Sequence, residues 1–272
     1  MTSIQLEKKR INQPAWYRPI FSPEHGVYVV LVGSFLTGAA LAQAWTFSTT
    51  LALIVAFFSF QAEYPWQLQL KQRKSFKPHC WVWGGLYGTI AAGIALWLVL
   101  RMPVLLWIYT VAIAALVVDS VEVLRKERKS IANELITFAA VSLSAPFAYV
   151  ATTGTLSAMA LGVWGLNAFY FSSSIFTVKL RKSQTSSLVP GIIYHAIATL
   201  TIAVLYYFGW FNLVTALAFG VALLKFGAIA WQQQWYRSAK IQTVATLETL
   251  SAFLFVAIAA ISVLPALLVT GH

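Results

Sequence analysis

Seven of the eight acidic residues in this chain lie at the ends of long apolar runs or a little way inside them. Glu24 and His25 sit in Ser22-Pro23-Glu24-His25-Gly26, just before the first run. Glu63 and Tyr64 close the second, and Asp119 and Glu122 lie near the end of the fourth. Asp119 and Glu122 are three apart and so share one helix face. Glu127 falls in a basic connection, Glu134 opens the fifth run, and Glu248 lies a turn and a half into the last; Glu7, in the N-terminal tail, is the exception. Carboxylates in apolar segments are costly, so each is either a boundary salt bridge or a working group. For Glu122 and Glu127, which have basic neighbours, the salt bridge is the simpler reading. For Glu24, Glu134 and Glu248 the two readings weigh equally.

A second set of groups points inward. Asn167, Tyr170, Ser174, Thr177 and Arg181 recur at three- and four-residue steps, which places them on one helix face that ends among Lys179, Arg181 and Lys182. Such a stripe serves either as interhelical hydrogen bonding or as a polar track for an anionic headgroup. His195, behind Tyr194, reads first as a hydrogen-bonded packing residue. Lys225 lies too far inside its run to reach the headgroups easily, so it should pair with a carboxylate or a ligand. The four His are scattered with no ligand spacing, which argues against a metal. No phosphate loop, nucleophile elbow or zincin motif is present, and no close group of Asp could hold magnesium against a diphosphate. Cys80 is the only cysteine, so an intrachain disulfide is excluded. No cofactor is expected.

The elements that must position these groups are transmembrane helices. The chain has 272 residues, of which 59% are hydrophobic and 10% charged, with mean hydropathy +0.74. A water-facing surface needs roughly a quarter charged residues, whereas a lipid-facing one must be apolar. Apolar runs at about 25–43, 46–64, 81–100, 103–121, 133–152, 155–176, 189–208, 211–231 and 243–265 are each near the ~20 residues that cross a bilayer. The expected fold is therefore all-α: a polytopic bundle of about nine helices. It comprises a basic cytoplasmic tail, 1–22, and one membrane domain, 23–272. The first run followed by Ala42-Gln43-Ala44 superficially resembles a cleavable signal, but the long basic stretch before it favours a retained helix.

The net charge is +11, and seventeen of the nineteen Lys and Arg fall in the tail or after runs two, four, six and eight. The intervening connections, such as Thr153-Gly154 and Gly209-Trp210, are short and almost uncharged. The positive-inside bias then predicts N-in, C-out, in a bacterial plasma membrane or an internal membrane. Basic clusters placed this way meet lipid headgroups, and nucleic acid is not an expected partner. The tight outer turns predict antiparallel pairing of helices one with two, three with four, five with six and seven with eight. Small-residue faces (Ser34, Gly38, Ala42 and Gly84, Gly88, Ala92) are expected to serve close helix packing.

Ser22-Pro23-Glu24-His25-Gly26, Glu63-Tyr64-Pro65, Arg125-Lys126-Glu127-Arg128-Lys129-Ser130 with Asn133-Glu134, Phe176-Thr177-Val178-Lys179-Leu180-Arg181, Tyr194-His195 and Glu248 resemble the YwiC-like family of bacterial membrane proteins. That family has no established activity. The layout is more distantly similar to the UbiA prenyltransferase superfamily, whose nine helices, N-in, surround an intramembrane cavity. Its Asp-rich motifs are missing here: Glu63 and Gln67 stand after helix two, and Lys179, Arg181 and Lys182 after helix six. The resemblance thus implies a cavity and not magnesium-dependent prenyl transfer.

The expected function is binding of an amphipathic isoprenoid, quinone or lipid in a chamber that opens to the cytoplasm. Its expected lining is Glu24, His25, Glu63, Arg125, Arg128, Glu134, Asn167, Lys179, Arg181, Tyr194, His195, Lys225 and Glu248. Two alternatives are a transporter with a Glu248, Lys225 and His195 relay, and a scaffold that docks a membrane-protein partner through its basic loops. No repeat or broken-helix signal in the sequence favours transport.

Overall fold

The computed structural model describes residues 17–72, 75–125, 130–181 and 187–264. They form twelve helices and no strand: α1 His25–Ala42, α2 Phe47–Lys71, α3 Pro78–Arg101, α4 Leu105–Arg125, α5 Ile131–Ser142, α6 Ser144–Thr153, α7 Ala158–Lys179, α8 Val189–Tyr207, α9 Leu213–Leu217, α10 Gly220–Trp231, α11 Gln233–Ser238 and α12 Ile241–Ser262. Local chemistry marks the ends. Thr46 and Thr49 cap each other at the start of α2, Ser130 and Ser157 cap α5 and α7, and Pro78 and Pro190 occupy first-turn positions. Gly154 (φ 75°) and Gly209 (φ 72°) close the turns after α6 and α8 in the left-handed region, where a side chain would be strained.

Eight helical segments are long and apolar enough to cross a bilayer, two of them composite: Ile131–Thr153 joins α5 and α6, and Leu213–Trp231 joins α9 and α10. Both composites are interrupted, which was not expected. In the first, Pro146 has no N–H to give the carbonyl of Ser142, and the chain turns at Leu143. In the second, Ala218, Phe219, Val221 and Ala222 bond three residues back, a tighter winding than α. The sixth expected run became α7, which is as long as the others but does not meet the apolarity of a lipid-facing span. It takes its shelter from protein: Leu166, Asn167, Tyr170, Ser173 and Thr177 are all buried.

Two apolar cores flank α1 and α7. One joins α1, α2, α3, α4 and α6 around Phe35, Leu98, Leu105 and Val150; the other joins α7, α8, α10 and α12 around Tyr170, Ala198, Ala222 and Phe255. The expected pairing of the fifth run with the sixth is present, with α5 and α6 packed on α7, but the first two pairings differ from those expected from the turns. α3 packs chiefly on α2 and barely touches α4, while α1 packs on α6 and only slightly on α2. A short turn brings two helix ends together but does not keep the helices in contact along their length. On α1 the small-residue face serves contact: a Cβ at Gly38 would lie 1.9 Å from the carbonyl oxygen of Ala145. On α3 it does so only in part: a Cβ at Gly84 would touch Pro65 of α2 at 3.7 Å, whereas one at Gly88 would meet nothing within 4 Å.

Candidate functional site

The space beside Gly88 is a cleft of about 740 Å³ bounded by α2, α3, α4, α5 and α6. Its walls are apolar and often small, with Gly84, Gly88 and Ala92 on one side and Ala112, Leu116 and Val141 on the others. The cleft lies where α3 and α4 diverge, so Gly88 and Ala92 line open space rather than a helix contact. Tyr109 also lines it, with a buried hydroxyl that has no hydrogen-bond partner among the described residues.

Glu63 and Asp119 lie on the cleft wall toward the ends of α2 and α4 that lead into the basic connections. Helix α2 does not stop at Glu63-Tyr64, as expected, but runs on through Pro65 to Lys71. Glu63 and Gln67 are therefore one turn apart on one face. The Gln67 amide nitrogen donates to Glu63 Oε1 at 2.5 Å and to Asp119 Oδ2 at 2.6 Å, and Asn133 Nδ2 donates to Asp119 Oδ1 at 2.9 Å. Gln67, Asp119 and Asn133 are all buried. Only the nitrogen of Gln67 can sit between two carboxylates, which fixes the orientation of the amide. Asp119 thereby joins α2, α4 and α5. Asp119→Leu should remove one acceptor from each of two buried amides, Gln67 and Asn133, with Gln67 keeping its bond to Glu63, at a cost of about 1–3 kcal/mol for each lost bond. Thermal unfolding in detergent measures the loss, and Asp119→Asn should recover part of it.

The other expected lining residues that the structure describes do not border this cleft. Glu134 pairs with Lys179 at 2.7 Å, tying α5 to α7. Asn167 is fully buried and donates to Thr37 of α1 at 2.9 Å, a packing contact between helices. Glu24 is half-buried before α1, near Ser22, whose backbone N–H donates to Gln61. His25 is exposed. Arg125 points outward and comes only within 3.9 Å of Glu122, and Arg128 lies outside the described residues.

Arg181, His195, Lys225 and Glu248 form a second centre among α7, α8, α10, α11 and α12. The carboxylate expected for Lys225 is Glu248, at 2.7 Å, and Thr177 donates to the other oxygen of Glu248 at 2.8 Å. The Lys225 ammonium lies 5.4 Å above the ring of Tyr170, which stacks on Phe255. Arg181 donates to the Ala239 carbonyl at 2.6 Å and lies 5.9 Å from the ring of Tyr236. Burial, with the Glu248 charge adding to it, pushes the Tyr236 phenol up to about 12. His195 bonds the Gly191 carbonyl at 2.7 Å and stacks on Phe226, and Tyr194 donates to the Phe169 carbonyl at 2.8 Å.

Sequence reading thus grouped into one chamber what the fold separates into two centres, and it left Asp119, Gln67 and Asn133 off the lining. The signal for Asp119 was present, an acid inside the end of an apolar run and on one face with Glu122, but periodicity could not show that Gln67 and Asn133 would meet it. Residues 21–149 match the YwiC-like protein family, a stretch that contains the whole cleft and the Glu63–Gln67–Asp119–Asn133 group. Comparison with curated proteins and with solved structures gave no match.

Proposed function

We propose, starting from a multi-pass membrane protein of the YwiC-like family, that the chain binds an amphipathic isoprenoid, quinone-like or lipid molecule. The tail lies in the cleft and the head lies at the Glu63–Gln67–Asp119 end. The observation that carries this reading is the cleft itself: about 740 Å³ of apolar space with its carboxylates confined to one end. That volume falls within the ~300–1,000 Å³ range of small-molecule sites. The unpartnered hydroxyl of Tyr109 offers a further polar contact within the wall. In this proposal α7 counts as a ninth crossing, the N-terminus is cytoplasmic because the basic connections gather at one end, and the head faces the cytoplasm. The likeness to UbiA proteins extends to this layout alone.

The test is steric. Gly88→Trp should fill the cleft without disturbing the packing, because nothing lies within 4 Å of a Cβ there. Gly85→Trp is the control: its Cβ also meets nothing, but it does not border the cleft. Mass spectrometry of lipid extracts from both purified variants should show one amphiphile class retained by wild type and Gly85→Trp and depleted at least tenfold by Gly88→Trp. Equal retention in all three would remove the cleft as the binding site.

A further inference from the structure

The cleft has one side that the described residues do not cover. Leu96 of α3 is 61% exposed, and Leu106 and Ile113 of α4 are 54% and 60% exposed, although all three line it. Ala92 of α3 and Leu116 of α4 are exposed beside them. Deeper in the lining, Val55, Ala91, Ile108 and Phe147 are buried. The cleft is a slot with a floor, open along the gap where α3 barely touches α4.

The open side lies at the depth of hydrocarbon. Helices α3 and α4 are both long and apolar enough to cross a bilayer. Leu106 and Asp119, both on the slot, are thirteen residues apart on α4, about 20 Å at the helical rise. That is most of a hydrocarbon core about 30 Å thick. The ends that point toward water are crossed by protein. Toward the basic connections Gln67, Asp119 and Asn133 are buried and bonded together across α2, α4 and α5. At the other end Leu98 and Leu105 are fully buried in one core beside the connection Met102-Pro103-Val104. The mouth is instead continuous with the exposed apolar surface of α3 and α4, which includes Leu86, Leu100 and Val117.

We infer that the cleft exchanges its occupant sideways with the bilayer, through the gap between α3 and α4, and that this occupant is a membrane lipid whose hydrocarbon chain enters from the lipid side. The inference rests on the reading of the cleft as an amphiphile site and adds where the molecule comes from. A chain that moves from bilayer to slot passes between two apolar surroundings and is never hydrated on the way. A solute dissolved in water would have to part the bonds of Gln67 and Asn133 to Asp119 to reach the same space. Gly88 and Ala92, at the mouth, leave room for the chain.

The experiment places one bimane label at a time on the full chain in phosphatidylcholine nanodiscs, with the buried Cys80 replaced by alanine. Gly88→Cys and Ala112→Cys report from the α3 and α4 walls of the cleft. Gly85→Cys reports from the exposed face of α3 outside it, and Ser75→Cys from the exposed connection before α3. Quenching is read with phosphatidylcholine brominated on its acyl chains and, separately, with iodide in the water. Iodide is excluded from hydrocarbon, so it should quench both cleft labels at least about tenfold less than Ser75→Cys. Brominated chains should quench both to within about twofold of Gly85→Cys, because all three labels then touch lipid. Iodide quenching at Gly88 and Ala112 equal to that at Ser75 would overturn the inference, since the cleft would then open to water. Quenching by neither agent would overturn it as well, because another segment or a second copy must then cover the mouth. The lipid extracts of Gly88→Trp bear on binding alone: equal retention there would remove the bound amphiphile and leave the quenching pattern as expected.

Discussion

Replacing Lys225 alone with methionine is expected to cost the folded bundle about 3–5 kcal/mol, because it leaves the Glu248 carboxylate buried without its cation. Lys225 contributes its ammonium at 2.7 Å from Glu248 and is itself almost fully enclosed, and the Glu248 side chain, 19% exposed, is solvated only in part. The effect should spread beyond one helix. Glu248 is in α12, Lys225 in α10 and Thr177 in α7, and their bonds close the C-terminal half around Tyr170. Adding Glu248→Gln should recover most of the loss, since a buried pair replaced by neutral groups is often tolerated. Chemical or thermal unfolding of the two single variants and the double variant in detergent provides the cycle. Additive losses would mean that the two residues do not depend on each other.

The second large effect is expected from the smallest change, Gly38→Ala. A methyl at that position would fall 1.9 Å from the Ala145 carbonyl oxygen and 2.6 Å from its carbon, both of them backbone atoms. A flexible side chain could swing away, but the start of α6 can yield only by moving the helix. Overpacking of this kind costs about 1–3 kcal/mol or more. It should also loosen the neighbouring bond from Ser144 to the Leu31 carbonyl, which holds α1 against the same break. Gly85→Ala is the matched control, because its Cβ meets nothing and alanine favours helix by up to about 1 kcal/mol. Melting temperatures of the two variants should move in opposite directions. A Gly38→Ala protein as stable as wild type would show that α1 and α6 are not in close contact.

The two centres divide along the chain. The cleft and its carboxylate–amide group fall within the YwiC-like stretch, residues 21–149, whereas every member of the Lys225–Glu248 centre comes from α7 onward. A change at one centre should therefore leave the other intact, so Glu248→Gln should leave the copurified amphiphile in place.

What the sequence determined by itself is the class of structure and the place of each helix. Hydrophobic runs must become helices in lipid because every backbone N–H and C=O needs a partner there. The apolar segments at 25–43, 81–100 and 189–208 accordingly reappear as α1, α3 and α8 with ends shifted by a few residues. Lys225 was also legible as a paired charge, since no lone ammonium is stable so far from an end. Tertiary structure decided which faces meet. Two small-residue faces of the same pattern went to opposite uses, Gly38 to a helix contact and Gly88 to the wall of a cleft, because helix spacing depends on neighbours remote in the chain. The stripe on α7 was split for the same reason, with Asn167 turned to α1 and Thr177 to α12. Periodicity says which residues share a face, but only packing says what that face opposes.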